Sequence, residues 1–452
     1  MKYSLIMRVS WVAIFITALT STSCIMEAED IDYDDVEQEI LDDWMTNNVD
    51  GYERWDYYDE DDDEDYVYYT IKTVDGDTSN PISNYEDCWI KYNLTGYDFE
   101  GNVYVTRDET IAYQLGSFSL GVRYIPLYQD LYYDSDFYSG ADTYDYLPKC
   151  LNLAFKNKDL NLCKGSVVTM YIPSEIIDGA ATGTTGFVGQ YVIGSYQPLK
   201  AVVEIVDIIA DPTAYETNEV TAFAQLNDGL LINYHETNVD NDDDVDDEYY
   251  AAYNEVQEQI AQRWSNAMDT VPNLYIDRRY TPSTFYNYNT DYNSEYRSKI
   301  ADTESIYYKY SMAEIDEMIR TIIEDEDDDN VFYDSYLTDD FIEFDGSANI
   351  WYIGRFLDGF IFDTNIEGVL DLINNESGNV TSAEEYSSVS SWENSIYILA
   401  WYYAIPQLRY GQWATILTTS RNAYGEATGS STIPANTPLL FHIYVEPVTV
   451  YD

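Results

Sequence analysis

Two stretches of this chain carry one nine-residue pattern. Gly96-Tyr-Asp-Phe-Glu-Gly101-Asn-Val-Tyr104 is echoed by Gly354-Arg-Phe-Leu-Asp-Gly359-Phe-Ile-Phe362. A second echo follows each of them in the same order. Lys164-Gly-Ser-Val-Val-Thr-Met-Tyr-Ile runs parallel to Tyr410-Gly-Gln-Trp-Ala-Thr-Ile-Leu-Thr. Two matching blocks in one order predict two copies of a single domain. With 452 residues and 45% hydrophobic content, the chain has enough apolar surface for two or three cores.

The formal net charge of -61 argues against nucleic acid and anionic lipid headgroups as partners, because a polyanion is repelled by both. The 48 tyrosines are spread without a fixed period and read as strand and interface residues. At the N-terminus, Lys2 and Arg8 precede an apolar run, Val9 to Leu19, that is too short to span a bilayer. Ser21-Thr22-Ser23-Cys24 then resembles the cleavage site of bacterial lipoproteins. That resemblance implies cleavage before Cys24 and acylation of it, with residues 1–23 as signal peptide and 24–35 as an acidic tether. Glu27, Glu29, Asp30 and Asp32 resemble the surface-export signal of Bacteroidota lipoproteins, which implies an outer-membrane, surface-exposed or periplasmic location. Three cysteines remain, Cys88, Cys150 and Cys163. Cys150 and Cys163 are close enough in sequence to pair, or all three are buried thiols.

Along the rest of the chain, Val36, Ile40, Leu41, Trp44 and Met45 fall on one helical face. Strand-like alternation starts near Val67 and runs to about Ile209, with 107–147 as a long insertion, so the first domain is placed at 36–209. Residues 210–335 read as a helical connector. Val256, Ile260 and Trp264 mark one helix in it, and a second helix opens on the capping box Ser311-Met-Ala-Glu314. The second domain is placed at 336–452. Asp59 to Asp65 and Asp240 to Glu248 are solvated loops; the latter lacks the glycine and the final glutamate of a calcium loop. The glycine-rich run 179–186 has no Lys-Ser/Thr after it and is no phosphate cradle. Only His235 and His442 are present, which argues against zinc sites and a Ser-His-Asp triad, and the alternation of the last strand puts His442 on the surface.

The second domain carries the strongest pattern: Trp351-Tyr352-Ile353-Gly354, then Asp358-Gly359-Phe-Ile-Phe362-Asp363-Thr364. Tyr397-Ile398-Leu399-Ala400-Trp401 follows, then Tyr410-Gly411-Gln412, Ala423-Tyr424-Gly425 and Ile433-Pro434 through Leu439-Leu440-Phe441. In order and spacing these resemble the motifs of the FKBP-type peptidyl-prolyl cis-trans isomerases. The resemblance implies an α+β fold, a twisted antiparallel sheet wrapped on a short helix, present here as two such domains. It implies an isomerase or folding helper with proline-containing polypeptides or unfolded envelope proteins as partners, and no cofactor or metal. By resemblance, Trp401 is the floor beneath the proline ring, and Tyr352, Phe362 and Phe441 are its walls. The Ile398 amide and the Tyr424 hydroxyl hold substrate carbonyls, and Asp363 faces the twisting one. Two phenylalanines of the family are replaced by the serine-rich Ser387 to Trp392. In the first copy the corresponding positions are Leu94, Tyr104, Val105, Phe155, Asp178 and Ala201, which lack every polar role. A non-catalytic, protein-binding lipoprotein of the same fold is the alternative expectation.

Overall fold

In a computed structural model the described residues are 33–58, 64–73, 80–85, 88–106, 108–115, 124–131, 160–173, 198–227, 232–233, 273–288, 306–325, 331–332, 337–338, 342, 347–373, 384–387, 398–425 and 433–447. The signal segment, Cys24, Cys150, the 256–264 helix, Phe155, Asp178 and His235 lie outside them. Among the described residues no helix is long and apolar enough to cross a membrane. Cys88 and Cys163 are both buried.

The sequence echoes become two sheets of one topology. The first contains β1 (Glu53–Tyr58), β2 (Glu64–Thr73), β3 (Trp89–Tyr97), β4 (Val103–Thr106), β5 (Leu127–Asp130), β6 (Ser166–Ile172) and β7 (Leu199–Ile209). The second contains β8 (Ile232–Asn233), β9 (Leu274–Asp277), β10 (Ser347–Arg355), β11 (Ile361–Thr364), β12 (Glu384–Ser387), β13 (Trp413–Thr418) and β14 (Leu439–Pro447). The strand order β1-β2-β6-β7-β3-β4, with β5 on β3, repeats as β8-β9-β13-β14-β10-β11, with β12 on β10. Even the irregularities match. The ladder of β3 with β4 shifts register after Gly96, and that of β10 with β11 after Gly354. The turn that follows needs a left-handed residue in both copies, supplied by Gly101 (φ 89°) and Gly359 (φ 90°). Gly165 donates to the Ile205 carbonyl and Gly411 to that of Val445, each at 2.7 Å.

This pairing redraws three of the expected boundaries. Part of the 107–147 insertion is a repeat element, because β5 pairs with β3 as β12 does with β10. Strands begin before Val67, since β1 pairs with β2, and the last two residues of the acidic run Asp59 to Asp65, expected in a solvated loop, are strand residues: Glu64 and Asp65 stand opposite Tyr58 and Tyr57. Residues 210–335 are more than a connector: β9 hydrogen-bonds to β13, so this stretch supplies the edge of the second sheet. Short strands such as β8 and β9 carry too few residues for a period to show in sequence.

Among the described residues, seven α-helices accompany the sheets: α1 (Tyr33–Asn48), α2 (Glu109–Leu115), α3 (Pro212–Leu226), α4 (Ile306–Lys309), α5 (Met312–Ile323), α6 (Glu367–Leu372) and α7 (Leu399–Ala404). On α1, Leu41 and Met45 are buried against Tyr68 and Tyr171. Ile40, expected on that face, is exposed, because the buried stripe follows the i, i+4 row of Glu37, Leu41 and Met45. The capping box of α5 forms as expected: the Ser311 hydroxyl accepts from the Glu314 amide, and the Glu314 carboxylate accepts from the Ser311 amide.

The two copies differ in what covers the sheet. In β7 burial alternates, with Val202 and Glu204 on the open side. In β14 every residue from Leu439 to Val445 is buried. Residues 278–288, α4 and α5 pack on the back of the second sheet, contributing Tyr280, Tyr286, Tyr288, Tyr307, Met312, Ile315 and Ile319 to its core. His442 is therefore buried and not on the surface. It stacks on Tyr280 (centroids 4.4 Å apart) and Tyr286 (5.6 Å). Its Nδ1 lies 2.9 Å from the Thr415 hydroxyl and its Nε2 3.5 Å from that of Tyr288. Alternation locates a side chain on a face of a strand, but not whether a later element covers that face.

The same layer buries an ion pair, Arg355 Nη2 to Asp316 Oδ1 at 2.8 Å, with Arg355 also 5.2 Å from the Tyr288 ring centroid. Burial, and after it the Arg355 charge, hold the His442 pKa well below its ordinary 6.5. The unfolded chain then takes up a proton below about pH 6.5 that the folded chain refuses, so stability falls as pH falls. Wild type should lose stability more steeply than His442→Gln between about pH 6.5 and 4.5, by about 1.4 kcal/mol per unit. The slopes come from urea unfolding at each pH. Contributions from Asp277 and Asp316 are common to both proteins, and parallel slopes would mean that His442 is protonated in the fold.

Candidate functional site

Residues directly opposite one another across a sheet share a face. Tyr352 stands opposite Ile443, and Gly354 opposite both Phe441 and Asp363. Phe441 in turn stands opposite Ile416. Tyr352, Gly354, Phe441 and Ile416 therefore line the face away from His442, and α7 packs there. Its Trp401 ring lies edge-on to Tyr352 (5.1 Å) and to Phe441 (5.6 Å). Phe441 is edge-on to Phe362 at 5.8 Å, and Phe362 leans on Phe356 at 5.1 Å. Edge-to-face contact aligns the positive rim of one ring with the negative face of the next, so the four aromatics support one another's orientation.

One polar pair sits among them. The Tyr352 hydroxyl donates to Asp363 Oδ2 at 2.8 Å. Tyr352 is held from behind by two residues to which the sequence pattern gave no role, Asn365 and Thr364. Asn365 Oδ1 accepts from the Tyr352 amide at 2.7 Å while its Nδ2 donates to the Ile350 carbonyl at 2.8 Å. The Thr364 hydroxyl donates to the Tyr352 carbonyl at 2.7 Å. Their one sequence signal is position: Thr364 and Asn365 directly follow Asp363. Gly354 has a steric role of its own. A Cβ there would lie 2.6 Å from Phe362 Cζ, so the ring occupies the space a side chain would need.

Ile398 caps the N-terminus of α7, its carbonyl accepting from the amides of Trp401 (3.1 Å) and Tyr402 (3.3 Å). The amide of an N-cap residue takes no part in the helix's own hydrogen-bond ladder. Trp401 is almost wholly buried, with Ala400 fully buried beside it. Tyr424 stands at the rim, 42% exposed. Its pKa is raised, first by the neighbouring atoms that desolvate it and then by the Asp363 charge. The fold thus brings Tyr352, Phe362, Asp363, Trp401 and Phe441 into contact, with Ile398 one helical turn before Trp401. Backbone register in the first copy places Val105 opposite Gly96, as Asp363 is opposite Gly354, and Ala201 where Phe441 stands. Leu94, two residues before Gly96, matches Tyr352 and is buried.

No family model matches the chain, and no curated protein matches it. Among solved structures, a peptidyl-prolyl cis-trans isomerase from Pseudomonas syringae pv. tomato is similar at TM-score 0.21 and 15% identity, over 46% of this chain and 99% of that one. The three FKBP domains of wheat FKBP73 give TM-score 0.21 and 9% identity, over 84% and 94%. FkpA from Escherichia coli gives 0.23 and 16%, over 45% and 73%. At such scores these likenesses carry no weight of their own beside the residues just described.

Gly354→Ala should push the Phe362 ring outward and open the aromatic row. The expected cost is about 1–3 kcal/mol in urea unfolding, as for overpacking elsewhere, with an altered near-ultraviolet dichroism. An unchanged spectrum and midpoint would show that the ring has room to spare.

Proposed function

We propose that the chain is a peptidyl-prolyl cis-trans isomerase and folding helper of the cell envelope, with its working site in the second domain. The observation that carries this reading is the Tyr352–Asp363 hydrogen bond set among the Trp401, Phe441 and Phe362 rings. Rotation about a peptide bond faces a barrier of about 18–20 kcal/mol, and X-Pro bonds are the ones with a populated cis form. Such a reaction needs no nucleophile. An aromatic cavity takes the imide out of water, where the charge-separated, planar resonance form is less favoured. Binding the twisted imide better than either planar form then lowers the barrier.

In this reading Trp401 is the floor for the proline ring, and Tyr352, Phe362 and Phe441 are the walls. The Ile398 amide and the Tyr424 hydroxyl donate hydrogen bonds to substrate carbonyls, and Asp363, oriented by Tyr352, sits beside the carbonyl that swings. Proline-containing polypeptides and unfolded envelope proteins are the partners. Acylated Cys24 provides the anchor, and the acidic residues after it direct the protein to the outer membrane. One observation favours a second reading, a non-catalytic binding lipoprotein: the first copy keeps the whole frame with Leu94, Val105 and Ala201 in place of the site.

A protease-coupled assay of the full-length protein on an X-Pro peptide separates the two. Asp363→Val imitates Val105 and should melt near wild type with turnover reduced about tenfold, the worth of one charged hydrogen bond. Trp401→Phe should keep the fold and raise KM, whereas Trp401→Ala should cost about 3–5 kcal/mol of stability. Full activity in both Asp363→Val and Trp401→Phe would leave the binding reading as the better one.

The anchor has its own test. Cys24→Ala should release the protein into the soluble fraction, since the cysteine sulfur is the acyl attachment point. Continued sedimentation with membranes would remove the lipoprotein part of the proposal.

A further inference from the structure

The residues between β13 and β14 carry Tyr424, and they are held by α3, which links the two sheets and sends Val220 and Phe223 into the second core, and by the first domain. Ser420 is the knot. Its carbonyl accepts from the amides of Ala423 and Gly425, both at 2.8 Å, which closes a turn around Tyr424. Its own amide and hydroxyl donate to the two oxygens of Glu216, at 2.6 and 2.7 Å. Glu216 lies on α3, the helix that leaves the last strand of the first domain, and is only 3% exposed. A carboxylate this deeply buried is costly unless its oxygens are satisfied, and here each accepts from Ser420.

The helix is tied to the first domain one residue earlier. Lys91 of β3 donates to the Tyr215 hydroxyl at 3.1 Å and lies 4.3 Å from that ring's centroid. The far end of the same loop meets the first domain as well. Ala435 is buried with Tyr128 and Ile209, and Trp89 and Tyr215 pack against them. Asn436, next in sequence, donates from its amide to the Gly425 carbonyl at 3.1 Å. Both flanks of Tyr424 are thus gripped by residues of the first copy or of the helix leaving it.

We infer that Glu216 is a positioning residue for Tyr424, and that the first domain, though it lacks the site itself, serves the site of the second by fixing the turn that carries this hydroxyl. The inference rests on the isomerase reading only for its consequence in turnover. The mechanical part stands on the hydrogen bonds. The hydrogen bonds of Glu216 go to Ser420, so its loss should be felt where Tyr424 binds substrate.

The experiment uses the full-length protein as wild type, Glu216→Ala, Glu216→Gln, Ser420→Ala, Tyr424→Phe and the double variant Glu216→Ala/Tyr424→Phe. Hydrogen exchange of the peptide covering 420–425 should quicken by about tenfold or more in Glu216→Ala, as expected for losing hydrogen bonds to a charged group. Ser420→Ala should do the same to a smaller extent, and Glu216→Gln should restore part of the protection. KM for an X-Pro peptide should rise in Glu216→Ala with kcat little changed, and the double variant should be no worse than Tyr424→Phe. Unchanged exchange at 420–425 in both Glu216→Ala and Ser420→Ala, or KM penalties that multiply in the double variant, would overturn the inference. Should Glu216→Ala fail to fold, Ser420→Ala decides, because it removes one hydroxyl and leaves the carboxylate in place. A wild type without turnover would defeat the isomerase reading while the exchange result still decides the positioning.

Discussion

A guanidinium removed from water has to meet a carboxylate, and Arg355 meets Asp316 of α5 behind the second sheet. Breaking such a pair by removing one partner costs about 3–5 kcal/mol, because the survivor stays buried and uncompensated. Burial alone would lower the Arg355 pKa, but Asp316 and the surrounding tyrosines raise it, so the side chain stays charged. Arg355 follows the register shift at Gly354, and the shift turns it toward α5 while Gly354 faces the aromatic row. One irregularity in β10 therefore serves both sides of the sheet.

That arrangement distinguishes the two copies. The first sheet is buried mainly on one side, where Ile90, Tyr92, Leu94, Val168, Met170, Ala201 and Val203 form its core. The second is a filled sandwich, aromatic in front and covered by tyrosines, His442 and α5 behind. A sheet packed on both faces gives its side chains less room to move than one with an open face. The first copy keeps the same strand order and turns and meets the second domain at Ala435, while α3, the helix that follows its last strand, meets it at Ser420.

Charge is managed in the same way throughout. The chain is strongly acidic, yet the carboxylates that are buried have designated donors. Asp277 accepts from the Arg279 amide and the Tyr286 hydroxyl and Glu216 from Ser420, and the half-buried Asp42 accepts from the hydroxyls of Tyr66 and Tyr68. Tyrosine is the recurring donor, which gives its abundance a physical role: each ring buries apolar area and carries a hydroxyl that an acidic chain can use.

The duplication was legible in sequence because both blocks contain glycines whose backbone roles no other residue fills as well, at the turns of Gly101 and Gly359 and beneath Phe362 at Gly354. The site residues were legible for a related reason, since their spacing is fixed by strand and helix geometry close to each motif, and Tyr352, Phe362, Asp363, Trp401 and Phe441 do meet. The α5 capping box was equally local. Tertiary structure alone decided the rest. The strands β5, β8 and β9 are too short to show a period, and their membership depends on a partner strand distant in the chain. His442 lies on the face that its alternation indicates, but burial came from a segment more than a hundred residues earlier. Asn365 and Glu216 each act through a pair of hydrogen bonds to backbone or hydroxyl groups, which leave no periodic trace. Local sequence specifies what each element can do, and contact between distant segments decides which of those possibilities is buried, paired or put to work.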